Sequence, residues 1–397
     1  MTSRRDTSWR NNREVYALPD GNSRPTAVYI HVPFCAHRCG YCDFTLVAGR
    51  DDLVDRYLVA VENELHQIAE TCPVDSLFVG GGTPTQLTAE QLGRLLSSVR
   101  SVFPLRPGAE VSVEANPDGL SEEKLAVLAE GGMNRLSLGV QSFDLSVLQT
   151  LERTHTPEQA CGVVQLAQQF VDRISVDLIF GVPGQSHAVW KDTLQTAAAL
   201  PVQHVSTYGL TYEPGTAFHR RRTGGDLYPM RSEDERQQYA TAITMLPEFG
   251  YEQYEISNFA QSDFRCRHNQ VYWDAGEYFA FGPGAARYVN GVRSTNSRNV
   301  MRWIESWEQT IPLLHEVEQL SAEDRAREAV MLGLRCNEGI VLQRFEERFG
   351  CSVASLAPDA MQRHLDGRLL EFDDARSTLR LTDEGRFLAD SVIADFL

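Results

Sequence analysis

The chain has 397 residues, enough for one large domain and a smaller one. Its hydrophobic share of 42% is ordinary for a globular protein, and no run of roughly 18 apolar residues offers a helical membrane span. A formal net charge of −17 argues against a polyanionic partner such as nucleic acid.

Residues 1–25 read as a polar leader. Met1 to Ser23 carries several arginines and no apolar core, so a secretory signal is not expected. Cysteines kept as thiols in a chain without an export signal give the cytoplasm as the expected compartment. Short β-branched runs then recur at Ala27–Val32, Ser76–Gly80, Glu110–Asn116, Arg135–Val140, Arg173–Phe180 and His204–Leu210. Helical periodicity fills the gaps. Asp52–Glu70 shows it best, with Leu53, Tyr57, Val61, Leu65 and Ile68 on one face. Thr88 with Gln91, Thr156 with Gln159 and Ser232 with Glu235 each have the spacing of a capping box, and Pro157 suits a first helical position. Six strand-then-helix units over 26–250 predict an α/β fold, a partial (β/α)6 TIM-like barrel with a parallel sheet.

Residues 251–320 read as an irregular connecting region rich in aromatics and glycine. Residues 321–397 predict a small winged-helix-like domain. Ser321 caps a helix through Arg335, helices follow at Val341–Phe349 and Asp359–Asp366, Leu369–Phe372 and Thr378–Leu381 form a hairpin, and a last helix runs from Thr382. Many winged helices bind DNA. From Ser321 onward, however, there are 10 arginines, no lysine and 15 acidic residues, a net of −5, which favours a structural or lid role.

Chemistry-bearing residues collect where strands end. The first strand runs into C-A-H-R-C-G-Y-C, which places Cys35, Cys39 and Cys42 in one loop. Thiolates are the soft ligands of iron–sulfur clusters. Three cysteines on a cubane leave one iron open to a small molecule. A closed zinc site needs a fourth ligand, and the other cysteines are scattered singly; His37 could serve only in a strained loop. A disulfide framework belongs to small secreted chains. The glycine triplet Gly80–Gly82 follows the second strand, Glu114 ends the third, Gln141 the fourth, and Asp177 lies in the fifth. Each is weak alone, but their shared position at one barrel mouth raises their weight.

The C-x3-C-x2-C run, with Tyr41 before its last cysteine, resembles the signature of the radical S-adenosylmethionine (radical SAM) superfamily. The likeness spans roughly Thr26 to the C-terminus and is to the coproporphyrinogen III oxidase-like branch. It implies a [4Fe-4S] cluster on Cys35, Cys39 and Cys42, whose open iron takes S-adenosyl-L-methionine. G-G-G-T-P-T with Gly81, Gly82 and Thr83, Glu114 in V-E-A-N-P, Gln141 in L-G-V-Q-S-F, Arg153, Asp177 in D-L-I-F-G-V-P-G-Q, and Tyr29 and Tyr41 match its cofactor-pocket positions. Within the branch, His268-Asn269-Gln270-Val271-Tyr272-Trp273 resembles the H-N-x-x-Y-W motif of its haem chaperones, so the resemblance implies haem at His268, with Cys266 as a weaker candidate.

The branch's oxygen-independent coproporphyrinogen III oxidases carry a fourth cysteine in the run and a longer N-terminal segment. Phe44 stands at the cysteine position here and about 25 residues precede the first strand, so chaperone activity is expected over oxidase activity. Where the family usually has histidine after G-P-G-A, this chain has Ala286-Arg287. The resemblance further implies acceptor haemoproteins, membrane-bound respiratory enzymes among them, hence peripheral membrane contact at the inner face and a homodimer as one oligomeric state.

Overall fold

A computed structural model describes Tyr16 and residues 24–397; the expected leader over 1–25 lies otherwise outside the described residues. Eight strands come first: β1 Ala27–Val32, β2 Phe34–Cys35, β3 Val47–Ala48, β4 Val74–Gly81, β5 Leu105–Ala115, β6 Arg135–Gln141, β7 Ile174–Phe180 and β8 His204–Gly209. β1, β4, β5, β6, β7 and β8 lie side by side, all parallel. They are the six strands expected. Val28, Ile30, Leu77, Val79, Val113, Leu138 and Val176 are fully buried or nearly so. Such continuous burial is what helices over a parallel sheet require. The crossover helices include Val54–Leu65, Ala89–Val102, Glu122–Glu130, Pro157–Ala167 and His187–Ala199. This is the partial TIM-like barrel.

Local signals work where nothing competes with them. Thr88 and Thr156 each close a capping box, as their spacing predicts. Ser232 does not. The helix Ser232–Met245 takes Arg231 as its N-cap, without a side-chain cap bond, and the Arg231 guanidinium pairs with Asp234 at 2.7 Å. Ser232 is thereby inside the helix. The long periodic stretch after Asp52 is shorter than expected, a 3-10 turn at Asp51–Leu53 followed by Val54–Leu65.

The stretch read as irregular is largely ordered. β9 Glu252–Gln253, β10 Asn258–Ala260 and β11 Phe279–Phe281 extend the main sheet to nine strands in the order β11-β1-β4-β5-β6-β7-β8-β10-β9. β12 Ala286–Val289, β13 Val292–Asn296 and β14 Leu314–Gln319 form a separate antiparallel sheet. β9, β10 and β11, of two or three residues each, carry no readable alternation, which is why the sequence hides them. Between these strands lies the short helix Arg267–Trp273, whose fourth-to-last residue is Gln270 and whose second is His268.

The C-terminal unit has the expected winged-helix order. Helix Ala322–Gly333 leads to β15 Ile340–Val341, then to helices Leu342–Phe349 and Pro358–Asp366, then to the hairpin of β16 Leu370–Asp373 and β17 Thr378–Leu381. Its own core gathers Val330, Leu334, Phe345, Leu379, Val392 and Phe396. The last helix breaks at Leu388 into Asp383–Phe387 and Ala389–Ala394.

Candidate functional site

The cysteine loop is held between β2 and β3, which pair parallel through Phe34↔Val47 and Cys35↔Ala48. Arg38 stitches it internally, its guanidinium donating to the Leu46 carbonyl at 2.9 Å. All three thiols are free. Among the described residues no three His, Cys, Asp or Glu side chains converge on a single ion. A cubane does not ask for that, since each cysteine ligates a different iron.

The surroundings suit such a group. Cys35 Sγ lies 3.2 Å from Thr83 Oγ1, and Arg153 Nη1 donates to Cys39 Sγ at 3.7 Å. Donors aimed at sulfur are what tune a cluster. Burial pushes the Cys35 thiol up to about 11, so it remains a thiol unless a metal replaces the proton. Backbone comes unusually close here. A Cβ on Gly82 would stand 2.7 Å from the Phe34 carbonyl oxygen, and one on Gly40 would stand 2.4 Å from the Phe218 ring. Only glycine allows both approaches.

Arg153 ties the loop to three strand ends. Its Nη2 donates to Asn116 Oδ1 at 2.5 Å and to the Gly139 carbonyl at 2.8 Å, while Asn116 Nδ2 donates to Thr83 Oγ1 at 2.9 Å. Tyr41 sits in the same cluster, its phenol raised mainly by burial, with Arg153 opposing. Cys39, Thr83, Asn116 and Arg153 line one small cavity of about 120 Å³. Gln141 ends β6 with φ 65°, a left-handed conformation that a side chain rarely adopts, and its amide nitrogen is next to Gly139.

A second cavity of about 220 Å³ opens inside the barrel and is lined by Tyr29, Gly81, Glu114, Asp177 and His268. Glu114 accepts from the Gly81 amide at 2.9 Å. Burial pushes its carboxyl up to about 7, against the Gly81 bond, with Asp177 raising it further. Asp177 is likewise raised by burial, and the Ser137 hydroxyl donates to it at 3.3 Å. Tyr29 shares a 3.0 Å hydrogen bond with His31 Nδ1. Thus the expected residues fall into two neighbouring groups, one at the cysteine loop and one within the barrel.

His268, expected to hold haem, is enclosed by protein groups. It is 1% exposed; its Nδ1 meets Ser76 Oγ at 3.0 Å and its Nε2 meets Tyr272 OH at 2.8 Å. Burial alone lowers its imidazolium to about 3, so the ring is neutral with both nitrogens engaged. A space of about 220 Å³ is below the range of roughly 300–1,000 Å³ of ligand pockets. In this arrangement both ring nitrogens of His268 are engaged, and neither is open to a haem iron. Cys266 is equally enclosed, its Sγ 3.6 Å from Glu110 Oε1. Trp273 stacks under Arg335 at 5.1 Å and is not part of the cavity.

Residues not singled out from sequence complete the site. Glu110 accepts from the backbone amides of Arg267 and His268, both at 3.1 Å, and so fixes the start of that helix. Arg135, fully buried, balances Glu110 and Asp177. Asn116, in V-E-A-N-P, is the one residue of this group that carries a sequence signal.

Two family models match, that of the radical SAM superfamily over residues 29–197 and that of the HemN C-terminal domain over 320–388. The chain is 36% identical to the heme chaperone HemW of Bacillus subtilis, over 94% of this chain and 99% of that one. It is 36% identical to the heme chaperone HemW of Mycobacterium tuberculosis, over 97% and 98%. Among solved structures, coproporphyrinogen III oxidase (HemN) from Escherichia coli matches with a TM-score of 0.83 at 23% identity, over 97% of this chain and 92% of that one, which speaks to the fold alone.

Proposed function

The chain belongs to the HemW family of the radical SAM superfamily, and from that premise we propose that it is a haem chaperone that carries haem and passes it to acceptor haemoproteins. Identity over nearly the whole length of the relatives named heme chaperone is the observation that carries this reading. Cys35, Cys39 and Cys42 would hold a [4Fe-4S] cluster, with Thr83 and Arg153 directed at its sulfur side. S-adenosyl-L-methionine would lie across the barrel mouth. There Gly81, Gly82 and Thr83 offer close backbone, Glu114 and Asp177 offer carboxylates, and Tyr29, Tyr41, Gln141 and Arg153 complete the wall. When bound, the pair supplies one-electron chemistry; the protein's part is to place and shield it.

No helix among the described residues is long and apolar enough to cross a membrane. We place the protein in the cytoplasm, reaching membrane-bound acceptors by peripheral contact. The test is direct. Anaerobically reconstituted protein is loaded with haem and mixed with an apo-haemoprotein, and the Soret band is followed as haem moves. Serine at all three cysteines should abolish the cluster's brown absorbance. Failure of wild-type protein to bind or pass haem, or turnover of coproporphyrinogen III by the reduced protein, would overturn the reading.

A further inference from the structure

With His268 enclosed, a haem carrier needs another place for its cargo. A cavity of about 770 Å³ lies on the outer side of the helix Arg267–Trp273, between the entry to β1 and the C-terminal helices. Its size falls within the ligand range of roughly 300–1,000 Å³. Tyr272, Tyr278, Tyr288, Met331, Leu332 and Phe349 give it flat and apolar walls. Arg24, Arg293, Arg325 and Arg348 stand against Glu277 and Glu328, a positive excess within a chain of net charge −17.

The cations are not equivalent. Arg24 is paired with Glu70 at 2.8 Å, and Arg293 with Glu318 and Glu328 at 2.9 and 2.5 Å. Arg348 donates to the carbonyls of Asp274 and Ala275 at 2.6 and 2.5 Å. Among the described residues no carboxylate pairs with Arg325. Tyr278 is the second distinctive group. Its ring meets Tyr272 edge-on at 4.6 Å, and its hydroxyl has no hydrogen-bond partner among the described residues.

We propose that this cleft holds a planar metalloporphyrin dicarboxylate, with Arg325 facing a propionate and the Tyr278 phenolate as the iron ligand. The proposal rests on the haem-chaperone reading above and adds the place and the ligand. Tyrosinate is a known axial ligand of ferric haem. As the iron(III)–oxygen bond forms, the phenol proton passes to solvent, and no electron is exchanged. The H-N-x-x-Y-W helix then acts from its outer face, where Tyr272 packs on the ligand tyrosine.

Ferric haem is titrated into the full-length, cluster-loaded protein and four variants. Wild type should bind one equivalent. Tyr278→Phe should shift the Soret band and remove the phenolate-to-iron charge-transfer band. Arg325→Glu should weaken binding about tenfold, the scale of one charge-assisted contact. Met331→Trp, which fills the cleft, should weaken it as well. His268→Gln, which keeps hydrogen-bonding capacity inside the barrel, should leave the haem spectrum as in wild type. Loss of the band in His268→Gln, or wild-type behaviour of both Arg325→Glu and Met331→Trp, overturns the cleft. An unchanged spectrum in Tyr278→Phe overturns the ligand. Absence of haem binding in wild type overturns the chaperone reading itself.

Discussion

At the scale of single residues, two buried glutamates do different things. Glu114 faces the barrel cavity with one oxygen on the Gly81 amide and the rest of its carboxylate directed at ligand space. An ammonium or hydroxyl group placed there gains a charge-assisted bond worth about 1.5–3 kcal/mol. Glu114→Ala should therefore weaken S-adenosyl-L-methionine binding by roughly tenfold or more while sparing cluster content, as equilibrium dialysis beside iron analysis would show. Glu64 is instead a structural carboxyl. It is 0% exposed and accepts from Tyr16 OH at 2.7 Å, Asn296 Nδ2 at 2.6 Å and the Gly282 amide at 2.8 Å. Burial nonetheless raises it to about 7 from an ordinary 4.5. Below about 4.5 it is protonated in both folded and unfolded chains and has no pH effect. Between about 4.5 and 7 the unfolded chain loses the proton and the folded one keeps it, so stability falls as pH rises. Above about 7 the loss is complete, about 3 kcal/mol at the conversion of 1.36 kcal/mol per unit. Glu64→Gln removes that dependence. Urea unfolding should show the variant gaining on wild type between pH 4.5 and 7.5, and a flat difference would mean that Glu64 is ionised in the folded protein.

At the scale of elements, the N-caps separate sequence signal from structural outcome. Thr156 and Ser232 open strings of the same pattern, yet only Thr156 accepts from the amide three residues on. Thr156→Ala should cost about 1 kcal/mol and Ser232→Ala close to nothing, as thermal or urea unfolding would measure. Equal losses would put Ser232 back at the cap. The same contrast governs what could be read in advance. The six strands of the parallel sheet were legible because long β-branched runs alternate with helix signals. Cys35, Cys39 and Cys42 were legible because the loop is contiguous in sequence. β9, β10 and β11 were not, because strands of two or three residues have no period and owe their place to the strands already beside them. Glu110 and Arg135 escaped notice for a related reason: a buried charge and its partner are joined only by the fold. His268 was legible as a motif, but its enclosure by Ser76 and Tyr272 was not, since Ser76 comes from a strand 192 residues away in sequence.

At the scale of the whole molecule, the barrel and the C-terminal unit meet through polar contacts around 250–280. Asn337 Nδ2 donates to the Gln253 carbonyl at 2.7 Å, Arg386 Nη1 donates to Gln253 Oε1 at 2.8 Å, and Arg348 caps the carbonyl end of the helix that carries His268. A winged helix so engaged is poorly suited to a DNA groove, and its charge says the same. The wing's arginines are spent locally: Arg380 pairs with Glu371 at 2.9 Å and Asp373 at 3.4 Å, and Arg376 with Asp373 at 3.9 Å. Among the described residues of the wing no basic stripe is left to release counterions from phosphates, and the net charge of −17 repels the duplex at a distance. The protein should therefore leave the mobility of a labelled duplex unchanged at physiological salt, at concentrations up to about 100 μM, the weak end of nonspecific binding. A complex that forms there and weakens steeply with added salt, and that is lost with the C-terminal arginines, would return the C-terminal unit to the role its fold otherwise suggests.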